Sequence, residues 1–185
     1  FYLLSMAKKR IYIFFLIFSN LIFAQNKDSL VFEKAYSKLT EMLRSPKRIN
    51  FENAVYEVEN AFLGDSLDEF EFSKSLRYLT EKEGLVATLF DTNFIYDDSD
   101  RYDVLRHASL FKVMTDSFPL IVVGNDTVSN LPFKYDFEDP FGVYNYEKTF
   151  VSNMLKTKKG NCRSMTYLYK IIAERLGIKA HLSLA

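Results

Sequence analysis

The sequence predicts an α+β fold that is mainly helical, and three observations support this prediction. Apolar residues recur at three- and four-residue spacing through most of the chain before residue 119, as on one face of a helix. Strand patterns are short: an apolar run and a turn near residues 119–128, and an alternating run over residues 178–184. The 185 residues are 48% hydrophobic and 16% aromatic, which is enough for one domain with a core or for two small ones.

The first 24 residues have the layout of a secretory signal peptide. From Met6, a basic segment ending at Arg10 precedes the apolar residues 11–23, and the small Ala24 stands before Gln25. The apolar run is short for a bilayer span, and a retained N-terminal anchor is the alternative interpretation. We predict a signal peptide at residues 6–24, cleavage near Ala24, export to the periplasm or the medium, and no stable membrane association afterwards.

The charge and the cysteine content of the chain exclude some classes of function and one kind of covalent bond. The chain has 24 basic and 24 acidic residues, so its formal net charge is zero, which argues against a general nucleic-acid binder. We also predict no cofactor and no bound metal ion. Cys162 is the only cysteine, so an exported chain cannot form an internal disulfide. Its thiol is then buried, reactive, or paired with another chain.

The residues after the leader, 25–130, are predicted to form a helical region. Periodic apolar positions predict helices over residues 30–43, 51–63, 67–90 and 102–118, with Gly84 as a point where the third could break. Gly64 is expected to close the second helix. His107 falls on the fourth helix and, without a metal-spaced partner, is interpreted as structural. Residues 119–128 predict a small hairpin around Gly124-Asn125-Asp126.

From Leu131 the chain becomes rich in aromatic and turn residues. In the structural interpretation these rings cover the helix that follows, and in the functional one some of them line a substrate groove. We expect most of them to lie in the core, because aromatic area gives a small domain much of its burial. A further helix is predicted from Glu147 to about Leu155. The rings in question are Phe133, Tyr135, Phe137, Phe141, Tyr144 and Tyr146.

The segment from Lys158 to Ala185 predicts a turn, a helix and a strand. Apolar residues at helical spacing predict a helix over residues 161–176, and Gly177 is placed for a left-handed C-cap. Residues 178–184 alternate as in a strand. Cys162 would stand at the helix start, where unpaired N–H groups and the positive end of the macrodipole stabilise a thiolate. A buried structural cysteine is the alternative.

The run "TKKGNCRSMTYLYKIIAERLGIKAHLSLA", with "YDFEDPFGVYNYEKTFVSNML" before it, resembles the transglutaminase-like superfamily, including its bacterial SirB-type branch. In that superfamily a Gly-x-Cys turn opens a helix that Leu-Gly-Ile or Leu-Gly-Val ends. The resemblance covers residues 131–185. It implies the front part of a papain-like domain, with Cys162 as the nucleophile and Asn161 as candidate oxyanion support. The implied substrate is a protein or peptide.

The chain also departs from the family pattern. The family histidine lies on the strand after the one that begins near Ile178, so His181 comes too early in the chain for that role. We therefore expect the general base beyond Ala185 and an incomplete domain at the C-terminus. The 185-residue chain alone is expected to be inactive.

Two functions from different classes remain at this point. The leading one is an exported transglutaminase-like protein that uses Cys162 for amide hydrolysis or acyl transfer in its full-length form. The alternative is a non-catalytic helical binding or scaffold module that retains the fold. The absence of an assignable histidine base and the large helical region favour the alternative, whereas the local pattern around Cys162 favours the enzyme.

Overall fold

The computed structural model describes residues 29–46, 49–89, 100–123 and 126–182. The chain divides into two compact units, Phe1–Asn50 with Tyr56–Leu67 and Phe51–Val55 with Asp68–Ala185. Within the described ranges the fold is mainly helical with a few short strands, which confirms the predicted class at that level. The predicted signal peptide, residues 6–24, lies outside the described residues.

The first unit contains helix α1 (residues 29–44) and most of helix α2, Phe51–Phe62. Val31 and Ala35 of α1 form its buried cluster with Ala61 of α2, and Phe32 packs edge-on against Phe62 with ring centroids 5.3 Å apart. Val31 and Ala35 lie four positions apart, so the helical period of the sequence does correspond to an inward-facing apolar side of α1.

The turn after α2 is fixed by left-handed backbone and by one amide side chain. Gly64 and Asp65 have φ values of +65° and +63°, which confirms Gly64 as the closing residue. The Asn60 side chain donates from Nδ2 to Asp65 Oδ1 at 2.6 Å, and its Oδ1 accepts from the Leu67 N–H at 3.0 Å. The Lys34 ammonium lies 3.2 Å from Asp65 Oδ2. Hydrogen bonds from Lys34 and Asn60 lower the pKa of Asp65.

After its part of α2, the second unit contains two long helices, α3 (Glu69–Leu89) and α4 (Arg101–Thr115). Helix α3 continues through Gly84, so the break that the sequence suggested there does not occur. The apolar faces of these helices and of the later helix α6 (Cys162–Arg175) form the core. Its fully buried side chains include Leu76, Leu110, Val113, Leu168, Ile171 and Ile172.

A buried ion pair lies between α3 and α4. The Glu83 side chain is fully buried, and its Oε2 lies 3.1 Å from Nη2 of Arg106, whose side chain is 20% exposed. The contact lacks hydrogen-bond geometry, and both Glu83 oxygens have no hydrogen-bond partner among the described residues. Burial raises the pKa of Glu83, although the charge of Arg106 opposes that shift.

The predicted hairpin is confirmed. Strand β1 (Phe118–Val123) pairs antiparallel with β2 (Asp126–Asn130), with Phe118 opposite Asn130 and Val123 opposite Asp126. The register shifts between Pro119 and Ile121, next to the residue that has no N–H to donate. The Asn130 amide is buried and donates to the carbonyls of Val113 and Asp116, which joins the hairpin to the end of α4.

A two-residue parallel ladder positions the segment around Cys162. Strand β3 (Lys134–Tyr135) pairs with β4 (Lys159–Gly160), and between them the chain forms a 3₁₀ turn, Tyr146–Thr149, and helix α5, Val151–Thr157. Sequence patterning predicted one helix from Glu147, but Phe150 is extended and buried and separates the two. The chain then leaves β4 directly into α6.

The end of α6 is held by charged and aromatic contacts within this unit. Arg175 donates from Nε and Nη2 to the two carboxylate oxygens of Glu52, at 2.6 and 2.5 Å, and from Nη2 to Ser73 Oγ at 2.8 Å. The Phe51 and Tyr167 rings meet edge to face, with centroids 5.3 Å apart. Gly177 has φ +71°, as the predicted left-handed C-cap requires.

The strand predicted over residues 178–184 is not formed in its described part, residues 178–182. Ile178 is buried and Lys179 is exposed, but Leu182 is 39% exposed, so the burial does not alternate along the segment. A strand also needs a hydrogen-bonded neighbour, and no described strand lies beside this segment. The compact units also follow a different division from the sequence-based boundary at residues 130/131, because α3 and α4 share a unit with α6.

Candidate functional site

The candidate site centres on Cys162, the first residue of α6. Its thiol is exposed, so the alternative of a buried core cysteine does not hold in the structure. The Arg163 and Ser164 N–H groups donate to Asn161 Oδ1 at 3.1 and 3.2 Å, and the Met165 N–H donates to the Asn161 carbonyl. Among the contacts of the described residues, the Cys162 N–H is left without an acceptor. The thiol therefore stands beside a free backbone donor at the positive end of a helix.

Asn161 is the N-cap of α6 and completes a capping box. Its own N–H donates to Ser164 Oγ at 2.9 Å, while its Oδ1 accepts from the first turn. This reciprocal arrangement fixes where the helix starts and therefore where the thiol lies. The side chain is 1% exposed, and its Nδ2 is a buried donor without an acceptor among the described residues.

Gly160 lets Met154 and Ser164 lie close to the backbone just before α6, because it has no side chain. A Cβ at Gly160 would lie 2.5 Å from Met154 Sδ and 2.7 Å from Ser164 Oγ, the hydroxyl that closes the capping box. The Gly160 carbonyl accepts from the Asp136 N–H at 2.8 Å, and the Lys158 carbonyl accepts from the Lys134 N–H at 2.8 Å. The β3–β4 ladder therefore joins the start of α6 to the segment that follows β3.

That segment, residues 136–146, is the aromatic loop, and the buried carboxylate of Asp139 organises it. Asp139 Oδ1 accepts from the Val143 N–H at 2.7 Å, and Oδ2 accepts from the N–H groups of Tyr144 and Asn145 at 3.2 and 2.9 Å. Burial opposes ionisation, but these three donors and the charge of Lys148 together lower the pKa of Asp139. The loop is thus folded around an ionised carboxylate.

Asp136 provides a second anchor at the start of the loop. Its carboxylate lies 3.0 Å from Lys148 Nζ and accepts from the Glu138 N–H at 3.1 Å. The hydrogen bond to Lys148 is the main reason that the pKa of Asp136 is lowered and that of Lys148 is raised. Gly142 is needed within the loop, because its φ is +67° and a Cβ there would lie 2.5 Å from Thr149 Cγ2.

The rings of this region are mostly outside the core, contrary to the expectation from the sequence. Phe133, before the loop, is buried and Tyr135 is half-buried. The loop itself exposes five large apolar side chains, each between 45% and 88% accessible, because Asp136 and Asp139 use its interior for backbone hydrogen bonds. These are Phe137, Phe141, Val143, Tyr144 and Tyr146.

The aromatic loop contacts the thiol and the residue after it. Cys162 Sγ lies 3.8 Å from the Pro140 carbonyl oxygen, and Arg163 Nη1 donates to the Tyr146 hydroxyl at 2.6 Å. The Lys158 ammonium lies 4.3 Å from the centre of the Phe133 ring, and burial lowers the pKa of Lys158. Neither cation contacts the thiol in the part of the chain that the structure describes.

Neither histidine acts as a partner of Cys162 in the described residues. His107 Nδ1 lies 2.6 Å from the Tyr169 hydroxyl, and the two rings stack with centroids 6.0 Å apart, which fits the structural role predicted for it. Burial raises the pKa of Tyr169, so its hydroxyl is protonated in this contact. His181 is exposed after the end of α6.

Comparison with protein-family models, with curated proteins and with solved structures finds no match to this chain. Within the described residues, no helix has the length and apolar character needed to cross a membrane. The same residues contain no cluster of His, Cys, Asp and Glu side chains suited to holding a metal ion.

Sequence reasoning located Cys162 and Asn161 but missed Asp136 and Asp139. The signal was present, because aspartates followed by Pro, Gly and Asn are typical of turns in which the carboxylate accepts backbone N–H groups. The two aspartates hold the loop in the conformation in which its rings are exposed.

Proposed function

We propose that this protein is an exported, transglutaminase-like protein in which Cys162 attacks an amide carbonyl. The observation that carries the proposal is the exposed thiol at the capped start of α6, next to a backbone N–H that has no acceptor among the described residues. In this arrangement the sulfur is accessible to a substrate and a developing oxyanion finds a donor. The resemblance of residues 131–185 to the superfamily supports the same assignment.

The reaction would proceed through a thioester. The Cys162 thiol gives its proton to a general base, sulfur bonds to the carbonyl carbon, and the carbon–nitrogen bond breaks as the proton passes to the leaving amine. Water then releases a carboxylate, or a second amine takes the acyl group, and the thiol is restored. The Cys162 N–H is one oxyanion donor and Asn161 Nδ2 is a candidate second one. The general base is not among the side chains that contact Cys162 in the described residues.

The alternative is a binding or scaffold module without chemistry. It is favoured by the absence of a histidine in contact with Cys162 among the described residues. The two functions predict different reactivities for the thiol. An enzyme of this class needs an activated thiol, whereas a scaffold does not.

The rate of alkylation of Cys162 by iodoacetamide between pH 5 and pH 8 tests the proposal on the intact native protein. An activated thiolate reacts at pH 5–6 on the order of tenfold or more faster than a free peptide thiol. Cys162→Ser is the labelling control and should show no modification. A rate equal to that of the free thiol across this range would contradict the enzyme function.

Asn161 is tested with two variants that separate capping from catalysis. Asn161→Asp keeps an oxygen for the helix N–H groups but removes the Nδ2 donor, whereas Asn161→Ala removes both. If Nδ2 supports the oxyanion, amide turnover by the native protein falls by about 10²-fold or more in Asn161→Asp while its unfolding midpoint stays close to wild type. Unchanged turnover in Asn161→Asp would limit Asn161 to its capping role.

A further inference from the structure

The aromatic loop combines two properties that rarely occur together on a protein surface. Its backbone is held by buried carboxylates, yet five large apolar side chains project from it. Single exposed apolar residues are common, but five within ten residues of an ordered loop mark a surface that binds something. An ordered loop also loses little conformational entropy when it binds.

The position of the loop indicates what it binds. Pro140 lies in the middle of the loop, and its carbonyl oxygen is 3.8 Å from the Cys162 sulfur. Phe141 follows directly, and Tyr144 lies on the turn that Asp139 closes; both side chains are largely exposed. A polypeptide whose carbonyl carbon reached the sulfur would therefore pass beside these rings.

On the basis of the function proposed above, we propose that the aromatic loop is the substrate-recognition surface of the Cys162 site. It selects polypeptides with an aromatic or large aliphatic side chain next to the amide that Cys162 attacks. Phe141 and Tyr144 contact that side chain. Arg163, which donates to the Tyr146 hydroxyl, holds one edge of this surface against the start of α6.

The chemistry of the loop favours an apolar side chain over a charged one. The outward positions at Phe137, Phe141 and Val143 carry no polar side-chain atom that could pair with a charge. A charged substrate side chain placed among them would lose water without gaining a partner. An apolar one would lose only unfavourable contact with water.

Affinity labelling of Cys162 in the intact native protein tests this without requiring turnover. Two peptidyl chloroacetamides of equal length carry phenylalanine or aspartate beside the reactive group; sulfur bonds to the methylene carbon and chloride leaves. We expect the phenylalanine reagent to label faster, on the order of tenfold, and to show saturation with concentration. Iodoacetamide serves as the small probe that reports thiol reactivity alone.

Variants separate recognition from reactivity. Phe141→Ala and Tyr144→Ala should remove most of the preference for the phenylalanine reagent, measured within each variant as the ratio of the two peptide labelling rates. Phe111→Ala is the matched control, because Phe111 is a 63% exposed ring of the same unit that lies on α4. It should keep the full preference.

The outcomes distinguish failure of this inference from failure of the proposed function. A fast iodoacetamide reaction with equal labelling by both peptides would overturn the recognition surface and leave the nucleophile in place. A slow iodoacetamide reaction would overturn the nucleophile itself. Dimers that dissociate in Phe141→Ala, with the labelling preference unchanged, would show that the loop binds a second copy and would also overturn the inference.

Discussion

Cys162 owes its position to the two residues before it. Asn161 caps the helix through a buried amide, and Gly160 has no side chain where Met154 and Ser164 approach. The sequence pattern located the helix start, because a capping residue before an apolar period is a local signal. The exposure of the thiol was not readable, since it depends on how the aromatic loop folds.

Two glycines of the same unit should respond to alanine in opposite ways. Gly84→Ala is expected to stabilise the protein by about 0.5–1 kcal/mol, because Gly84 lies inside α3 with nothing within 4 Å of its would-be Cβ. Gly160→Ala is expected to destabilise it by roughly 1–3 kcal/mol, because the new carbon overlaps Met154 and Ser164. Urea unfolding of both variants measures the two effects. Equal shifts would mean that the packing at Gly160 is loose.

At the scale of elements, periodicity predicted the helices and the hairpin well, because both depend on residues close in sequence. The aromatic loop and residues 178–182 were predicted less well. The conformation of the loop depends on which three N–H groups donate to Asp139. A strand forms only beside a partner strand, which can be distant in the chain. Neither kind of partner is visible in a local pattern.

The α3–α4 contact contains a carboxylate whose burial is incompletely compensated. Removing the charge of only one of the two side chains should therefore lower the free energy of unfolding more than removing both charges. We expect Glu83→Gln to lower the free energy of unfolding by about 2 kcal/mol, less than for a fully buried pair because the Arg106 side chain is 20% exposed. Glu83→Leu with Arg106→Leu should return stability to near wild type or above it. Urea unfolding measures the stability of the single and the double variant, and a double variant less stable than Glu83→Gln would contradict this account.

The aromatic loop should open in acid. Asp136 and Asp139 have lowered pKa values, so the folded loop binds their protons less readily than the unfolded chain, where an aspartate titrates near about pH 3.9. Their stabilisation is therefore present above that pH and is lost as the pH falls through the folded pKa values. Amide exchange at Val143, Tyr144 and Asn145, corrected for the intrinsic rate, should lose protection below about pH 4.

A variant and an internal reference accompany this acid measurement. Asp139→Asn should weaken protection at all three amides at neutral pH and flatten its pH dependence. The Leu168 amide, inside α6, should stay protected where the loop opens. Constant protection of the loop amides down to about pH 2 would show that the carboxylates do not hold it.

At the scale of the whole molecule, the chain divides into two compact units. The signal peptide predicted at residues 6–24 leads us to expect export. The sequence predicted the mainly helical class, because summed local patterns settle that question. The unit division was harder, since it depends on α2 contributing residues 51–55 to one unit and 56–62 to the other. A sequence pattern does not show that one helix contributes residues to two compact units.

Export is tested by the mature N-terminus. Mass analysis of the protein recovered from the native cells should give a chain that begins at Gln25, because the small Ala24 ends the signal-peptide layout. Ala24→Arg should block cleavage and leave the protein in the membrane fraction. A mature chain that keeps residues 6–24 would instead support the membrane-anchor interpretation.

The way in which Asp139 holds the aromatic loop separates the shape of the loop from its chemistry. Among the described residues the carboxylate accepts from the main-chain N–H groups of Val143, Tyr144 and Asn145, so the side chains at positions 143 and 144 take no part in those hydrogen bonds. Those two positions can be exchanged for other residues that possess an N–H while the loop keeps its form. The loop is therefore a natural place for selectivity to diversify, by drift or by laboratory evolution, without any change of scaffold.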